Sequence, residues 1–293
     1  MIEQTLFGEK NKVQIAVDRL KTFEPTEGYW LAFSGGKDSV VCYHLCKMAG
    51  VKFEAHYNIT SVDPPELLRF IKKEYPDVQR DVPRDKDGNA ITMWTLIPKK
   101  KMPPTRLVRY CCEKLKEGGG QNRVVVTGVR WAESTKRKNI HGIVTLPKKQ
   151  PEQEGWQKTP AGGLILNEDN GDNRRLVEQC FARQKVNVNP IIDWTDDEVW
   201  EFIEKYHVPY CELYDQGYTR LGCVGCPMSG NQEAEMEKYP YIRKKYIEAF
   251  EKMLDERGKA GLETEWDTGE EVMAWWLGKT PPEKELEGQE RMV

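Results

Sequence analysis

The chain has 293 residues, 39% hydrophobic and 31% charged, so it can bury a core of its own without a metal or disulfide framework to compensate for small size. Its formal net charge of -3 gives no chain-wide attraction to nucleic acid or anionic lipid, although Lys99, Lys100 and Lys101 and then Lys136, Arg137 and Lys138 form local basic clusters. No stretch approaches the roughly 18–20 apolar residues of a membrane span, and Met1-Ile2-Glu3-Gln4 lacks the basic-then-apolar run of a secretion signal, so a cytoplasmic protein with no membrane attachment is expected. Eight cysteines in a reducing compartment point to metal or redox chemistry ahead of disulfides.

In chain order, residues 11–23 read as an amphipathic helix, with Val13, Ala16, Val17 and Leu20 at helical spacing. Tyr29 to Phe33 is a short apolar run suited to a buried parallel strand. Ser34 to Ser39 is a loop, Val40 to Met48 a helix ended by Gly50, and Val51 to Tyr57 a second strand. Pro64 and Pro65 open a further helix with Leu67, Leu68, Phe70 and Ile71 on its core face. The segment 80–104 reads as irregular apart from an apolar piece around 91–97, and 105–117 reads as a helix closed by three glycines. Arg123 to Gly128 is the cleanest strand. The polar stretch 136–173 reads as an insertion over the active face, of the kind that is often mobile. Order resumes at 186–192, followed by a helix capped at Thr195 and by helices near 233–257 and 267–276. Alternating strands and helices predict an α/β chain with a doubly wound parallel sheet of Rossmann type. The expected division is 1–215 for a nucleotide-binding domain and 216–293 for a helical part bearing a Cys-x-x-Cys.

The loop Ser34-Gly35-Gly36-Lys37-Asp38-Ser39 carries the first chemical signal. Two glycines after a strand let the backbone approach an anion closely, and the following helix presents unpaired N–H groups and its positive dipole end. Ser34 and Ser39 add hydroxyls, Lys37 a charge, and Asp38 a carboxylate that can orient the turn or hold a metal on the phosphates. The spacing matches neither the Walker pattern nor the dinucleotide fingerprint. It matches the PP-loop of the adenine nucleotide α-hydrolase-like fold.

The second signal is the pair Cys111-Cys112 and, far downstream, Cys223-Val224-Gly225-Cys226. A Cys-x-x-Cys turn aims two thiolates at one centre, whereas neighbouring side chains at Cys111 and Cys112 point apart. A polynuclear cluster accepts thiolates from separated directions, which favours iron–sulfur over zinc. Cys42, Cys46, Cys180 and Cys211 are expected to be packing residues, as are His44 and His56.

Together these features resemble the phosphoadenosine phosphosulfate (PAPS) reductase family, which includes sulfonucleotide reductases and the related ATP pyrophosphatases of DNA sulfur modification. The resemblance runs from about Tyr29 to Gly230. It rests on Ser34 to Ser39, Cys111-Cys112, Thr127-Gly128-Val129-Arg130 with Glu133-Ser134 and Arg137, Asn189 to Thr195 with Val199-Trp200, and Tyr214 to Tyr218 running into Cys223 and Cys226. It implies nucleotide contacts at Ser34, Gly35, Gly36, Asp38, Ser39, Arg130 and Arg137, with Lys37, Asp38 and Arg130 catalytic. It implies ATP, or the sulfonucleotides PAPS and APS, with Mg²⁺, and a 4Fe–4S cluster (zinc being the alternative) on Cys111, Cys112, Cys223 and Cys226. A sulfur- or electron-donor protein and a nucleic-acid substrate are the partners it suggests.

Two departures shape the expected activity. No cysteine follows Cys226, where sulfonucleotide reductases carry the thiol that attacks sulfur, and Asp63-Pro64-Pro65-Glu66 replaces an Asp-Thr-Gly-like segment. The leading expectation is therefore cleavage of ATP between its α- and β-phosphates with transfer of AMP to an acceptor. A sulfonucleotide reductase using a partner's thiol stands second, and a non-catalytic nucleotide-binding subunit third.

Overall fold

The computed structural model describes residues 1–5, 8–146, 155–167 and 185–279. Its strands are β1 (Ile2–Thr5), β2 (Gly8–Asn11), β3 (Tyr29–Ala32), β4 (Phe53–Asn58), β5 (Gln79–Asp81), β6 (Val124–Val126), β7 (Val144–Leu146), β8 (Gln157–Lys158), β9 (Leu164–Leu166) and β10 (Val186–Val188). Its α-helices are α1 (Lys12–Thr22), α2 (Lys37–Ala49), α3 (Pro65–Glu74), α4 (Met93–Lys100), α5 (Thr135–Ile140), α6 (Asp196–Lys205), α7 (Gln232–Lys238), α8 (Pro240–Lys259) and α9 (Gly269–Trp276). The chain forms two compact units. The first takes Met1–Ile59, Pro65–Asp81 and Gly118–Leu221, and the second takes Thr60–Pro64, Val82–Glu117 and Gly222–Val293. The second unit is thus not the continuous tail 216–293 but draws two segments from within the expected first domain.

The first unit is built on a sheet ordered β5-β4-β3-β6-β10-β7-β9-β8. From β5 to β10 the strands are parallel, with Trp30 opposite both Glu54 and Val125, and Val186 opposite Val124. Strands covered on both faces need apolar residues throughout, and Val124, Val125 and Val126 are all buried. The expected α/β architecture with a mainly parallel sheet is present, and at the other edge β7, β9 and β8 run antiparallel. Those strands and α5 come from the expected insertion 136–173, whose described residues are therefore part of the sheet layer. Three-residue apolar strands such as Leu164-Ile165-Leu166 are too short to show a period. Residues 147–154 and 168–173 of that stretch lie outside the described residues, as does Cys180.

Other elements of this unit follow the sequence closely. Asn11 accepts from the backbone N–H groups of Val13 and Gln14 and so starts α1. Gly50, at φ 70°, closes α2 in the left-handed conformation that glycine adopts without strain. Helix α2 begins three residues earlier than periodicity indicates, because the loop runs directly into its first turn. On α3 only Leu67 and Ile71 are buried, and Leu68 faces solvent.

The second unit is helical around its own core, with Tyr246, Phe250, Met253, Val272, Met273 and Trp276 as the contributions of α8 and α9. Three sequence expectations change here. Residues 93–100 form α4, started by a capping box in which Thr92 and Thr95 exchange side-chain and backbone hydrogen bonds. The helix expected over 105–117 is reduced to a π-helical turn, Cys112–Lys116. Upstream of it the Thr105 hydroxyl accepts from the Val108 N–H at 3.0 Å, a local alternative to helical bonding. Tertiary bonds hold the same stretch, Tyr110 to the Met102 carbonyl and the Trp276 indole N–H to the Pro104 carbonyl. The long helix expected near 233–257 is divided at Pro240, which lacks an N–H and begins α8 instead.

Candidate nucleotide and cysteine sites

The loop of the first unit leaves the C-terminal end of β3 and enters α2. Gly35 has φ 72°, and a Cβ there would stand 2.6 Å from Leu67 Cδ1, so close packing and backbone conformation both require glycine. Ser34 and Ser39 staple the turn: the Ser39 hydroxyl donates to the Gly36 carbonyl at 2.9 Å and accepts from the Ser34 N–H at 3.1 Å. The Lys37 N–H, at the start of α2, donates to the Tyr214 hydroxyl at 2.8 Å. Gly128, just after β6, completes the approach, since a Cβ there would lie 2.8 Å from that of Asp38.

Four charged side chains meet beside this loop. Arg130 is 3% exposed; its Nε donates to Asp38 Oδ1 at 2.7 Å, its Nη2 to Asp196 Oδ1 at 2.9 Å and its Nη1 to the Trp194 carbonyl at 3.3 Å. The Lys37 ammonium is buried as well, 2.9 Å from the Thr219 carbonyl and 3.1 Å from Asp196 Oδ1, with the rings of Tyr214 and Trp200 at 5.6 and 6.0 Å. Burial raises the Asp38 carboxyl above its ordinary range in spite of the lowering charges of Arg130 and Lys37. Asp196 goes the other way: desolvation pushes it up, but the hydrogen bonds and charges of Lys37 and Arg130 outweigh that and hold it low.

Lys37, Asp38 and Arg130 are thus brought together, with Ser34, Gly35, Gly36 and Ser39 forming the adjacent turn. Arg137 adjoins the cluster through Glu133: its guanidinium pairs with that carboxylate at 3.0 Å, and the carboxylate also accepts from the Arg130 N–H and bears on the charge of Asp38. Sequence reasoning missed Asp196, which read as one of several acids in the first turn of α6. It also assigned no role to Tyr214 and Thr219. The segment before α6 is structural as expected, with Asp193 gripping Arg19 through two 2.9 Å bonds, Trp194 buried and a capping box at Thr195. His44 and His56 are packing residues with partners. The first bonds Tyr75, and the second stacks on Trp30 with its Nδ1 2.8 Å from Asp81.

The second unit carries Cys111, Cys112, Cys223 and Cys226. Cys223 and Cys226 flank a tight turn in which the Cys226 N–H donates to the Cys223 carbonyl. Glu235 accepts from the Gly225 N–H at 2.8 Å, and Gly225 has φ 71°. The Tyr246 hydroxyl donates to the Val224 carbonyl, while the Val224 N–H donates to Val62. Cys112 receives a 3.3 Å bond from Arg109. A hydrogen bond from Cys111 and then the Arg109 charge lower the Cys112 thiol, and the same bond, with burial, raises Cys111. Burial also raises Cys223, against the opposing charge of Lys116. The thiol of Cys223 lies 3.5 Å from the Thr60 hydroxyl, which in turn donates to Asp63 at 2.7 Å. Asp63, from the divergent Asp-Pro-Pro-Glu segment, therefore braces this turn.

In kind, these residues suit an anionic thiolate cluster: four sulfurs with Arg109 and Lys116 beside them to offset negative charge. In position, Cys111 is hydrogen-bonded to Cys112 and lies near enough to Cys223 to feel its charge, while among the described residues no three or more His, Cys, Asp or Glu side chains meet the spacing that holds a metal.

A mainly parallel sheet with a glycine-rich turn, a helix N-terminus and two buried cations at its strand ends defines an α/β protein with its candidate site where ligands of such sheets bind. The family described as phosphoadenosine phosphosulfate reductase domain matches residues 28–229, and the chain belongs to it. An uncharacterised protein of Methanocaldococcus jannaschii is 28% identical over 260 residues, covering 86% of this chain and 52% of that protein. The adenosine 5'-phosphosulfate reductase of Staphylococcus haemolyticus is 49% identical over 54 residues, 18% of this chain and 22% of the enzyme. The chain thus spans about half the length of the archaeal relative or less of the others. Among solved structures, the phosphoadenylyl-sulfate reductase of Candida auris is 15% identical with a TM-score of 0.40, covering 71% of this chain and 87% of that one. No helix among the described residues is long and apolar enough to cross a membrane.

Proposed function

We propose that the chain is a PP-loop ATP pyrophosphatase that cleaves ATP between the α- and β-phosphates and passes AMP to an acceptor in sulfur chemistry. The reading is carried by the loop at β3–α2 with Lys37, Asp38 and Arg130 converging beside it. Pyrophosphate would lie on the Gly35–Gly36 turn and the first N–H groups of α2, where Lys37 and Arg130 meet the charge that develops on the leaving oxygens. Asp38 holds the Arg130 fork in register with that turn, and the Ser34 and Ser39 hydroxyls fix the turn's shape. Mg²⁺ bound with the nucleotide would neutralise phosphate charge and sharpen the leaving group.

The described thiols of the first unit favour this reading over attack on sulfur. Cys42, Cys46 and Cys211 are buried, and desolvation holds all three in the protonated, unreactive form. Cys111, Cys112, Cys223 and Cys226 would hold an iron–sulfur cluster, which when bound supplies structural cross-linking, sulfur transfer or electron transfer.

The second reading, reduction of an adenylyl sulfate with a thiol from a partner protein, is favoured by the likeness to the Staphylococcus haemolyticus reductase. Product analysis separates the two. AMP and pyrophosphate formed from ATP support the first, and sulfite formed from an adenylyl sulfate supports the second. Asp38→Ala should lower ATP turnover by at least roughly 100-fold, and unchanged turnover would remove the assignment of this site.

A further inference from the structure

The cations at the loop are already answered by protein. Lys37 and Arg130 have side chains 7% and 4% exposed, and Asp38 and Asp196 supply one negative charge each. The four groups are formally neutral as a set, so they offer a polyphosphate no net attraction.

The two carboxylates differ in how firmly they are held. Asp38 is a quarter exposed and is wedged on α2 against Gly128. Asp196 is 56% exposed and is the first residue of α6, yet one of its oxygens, Oδ1, faces both Lys37 and Arg130. Among these four groups, the exposed carboxylate is the one that can leave.

We propose that Asp196 is a built-in competitor for the phosphates: its carboxylate occupies the Lys37–Arg130 pair until a polyphosphate takes both cations and the side chain turns out to solvent. The proposal rests on the nucleotide reading of the loop. An exposed carboxylate interacts weakly with its partners because water screens it, and a rotation about χ1 releases it. Pyrophosphate brings more charge and several acceptor oxygens to the same two cations. Lys37 does not become disordered in the exchange, because the Thr219 carbonyl and the Tyr214 and Trp200 rings still hold it. Arg130 keeps Asp38 and the Trp194 carbonyl. The cost of displacing the carboxylate is common to every anion that takes both cations, so it lowers apparent affinity by one shared factor.

The test is calorimetric titration of the full chain with pyrophosphate at fixed Mg²⁺, comparing wild type with Asp196→Asn, Asp196→Ser and Asp197→Asn. Asp197 is the exposed neighbour on the same helix turn, so its variant makes the same change in net charge without touching either cation. Both Asp196 variants should bind pyrophosphate roughly fivefold tighter than wild type, and Asp197→Asn less than about twofold tighter. Inorganic sulfate, which meets the same two cations, should gain in affinity by a similar factor when titrated in parallel. Equal affinities for the Asp196 and Asp197 variants, with wild type still binding, would overturn the proposal and leave the nucleotide reading standing. Weaker binding by both Asp196 variants, with circular dichroism unchanged, would overturn it by making Asp196 a contributor to the bound state. No binding by any form would remove the nucleotide reading itself.

Discussion

At the loop of the first unit, the charged side chains have opposite charges at hydrogen-bonding distance: Arg130 has Asp38 and Asp196, and Lys37 has Asp196. In the second unit, the four cysteines have cations nearby in Arg109 and Lys116, and the hydroxyl of Thr60, but their sulfurs do not converge into a metal-binding set. The first site keeps its geometry because burying a cation requires a partner, and the partners come from rigid strand ends and helix starts. The second site presents softer donors on turns, one a π-helical turn and one a glycine-bearing loop. Thiols on turns impose no comparable pairing throughout, and a shared ligand is what would draw all four together. A site made of ion pairs is therefore legible in the fold itself, while a site made of thiols shows mainly its scaffolding.

The sharpest way to break this contrast is metal removal and replacement. Cys223→Ser and Cys226→Ser should abolish retention of iron and sulfide after anaerobic reconstitution, while leaving pyrophosphate binding at the first unit intact. Full iron retention by both variants, measured by iron and sulfide assay and absorption spectrum, would remove the cysteine assignment. The zinc alternative predicts stoichiometric zinc in the same protein and no sulfide.

Next in size is the loss of Asp38. Besides its effect on turnover, Asp38→Ala leaves the buried Arg130 with one exposed carboxylate, and we expect a destabilisation of roughly 2–4 kcal/mol. Denaturant unfolding followed by tryptophan fluorescence reads this directly, and a change within a few tenths would mean that the pairing is not structural.

A smaller effect is expected at the turn of the second unit. Gly225→Ala places a side chain at φ 71° and brings its Cβ against the Met236 methyl, which can move. The cost should be about 1–3 kcal/mol, mostly from the backbone. The same melt that records it should show pyrophosphate affinity unchanged.

The smallest effect concerns pH, and the two carboxylates on Arg130 should act with opposite sign. Asp196, held below its ordinary value of 3.8, stabilises the fold above that pH and loses the contribution as pH falls through its lowered value. Asp38, raised above 3.8, favours its protonated form in the fold, so its contribution is present below that pH and is lost as pH rises through the raised value. Asp196→Asn should therefore lose less stability than wild type on acidification below about pH 4, whereas Asp38→Asn should lack the gain that wild type makes as pH falls from the raised Asp38 value towards 3.8. Parallel acid limbs for all three proteins would contradict the assigned shifts.

How much of this was legible beforehand follows from the range of the interactions involved. Local rules carried the loop, because a strand, two glycines and a helix start lie within a dozen residues, and Gly35 and Gly50 adopt the left-handed backbone that their positions suggest. They also carried the capped start of α6 and the valine strand β6. They failed at 105–117, where Thr105 and distant partners override helical periodicity, and in 136–173, where short apolar strands find their meaning only by pairing with β10 and with each other. Arg130 was identifiable as a residue leaving a strand on the ligand side. Asp196 was not, because an acid in the first turn of a helix is ordinary and only its meeting with Lys37 distinguishes it.

The sequence by itself determined the glycine-rich turn between a strand and a helix, the residue types of the candidate sites and the alternation that makes an α/β sheet, all set at short spacing. Tertiary structure alone decided which charges neutralise one another, that the sheet ends in an antiparallel edge, and that segments 60–64 and 82–117 join the tail to make a second unit. Those outcomes depend on contacts between residues tens to hundreds of positions apart, where desolvation and packing choose the partners and no local pattern records the choice.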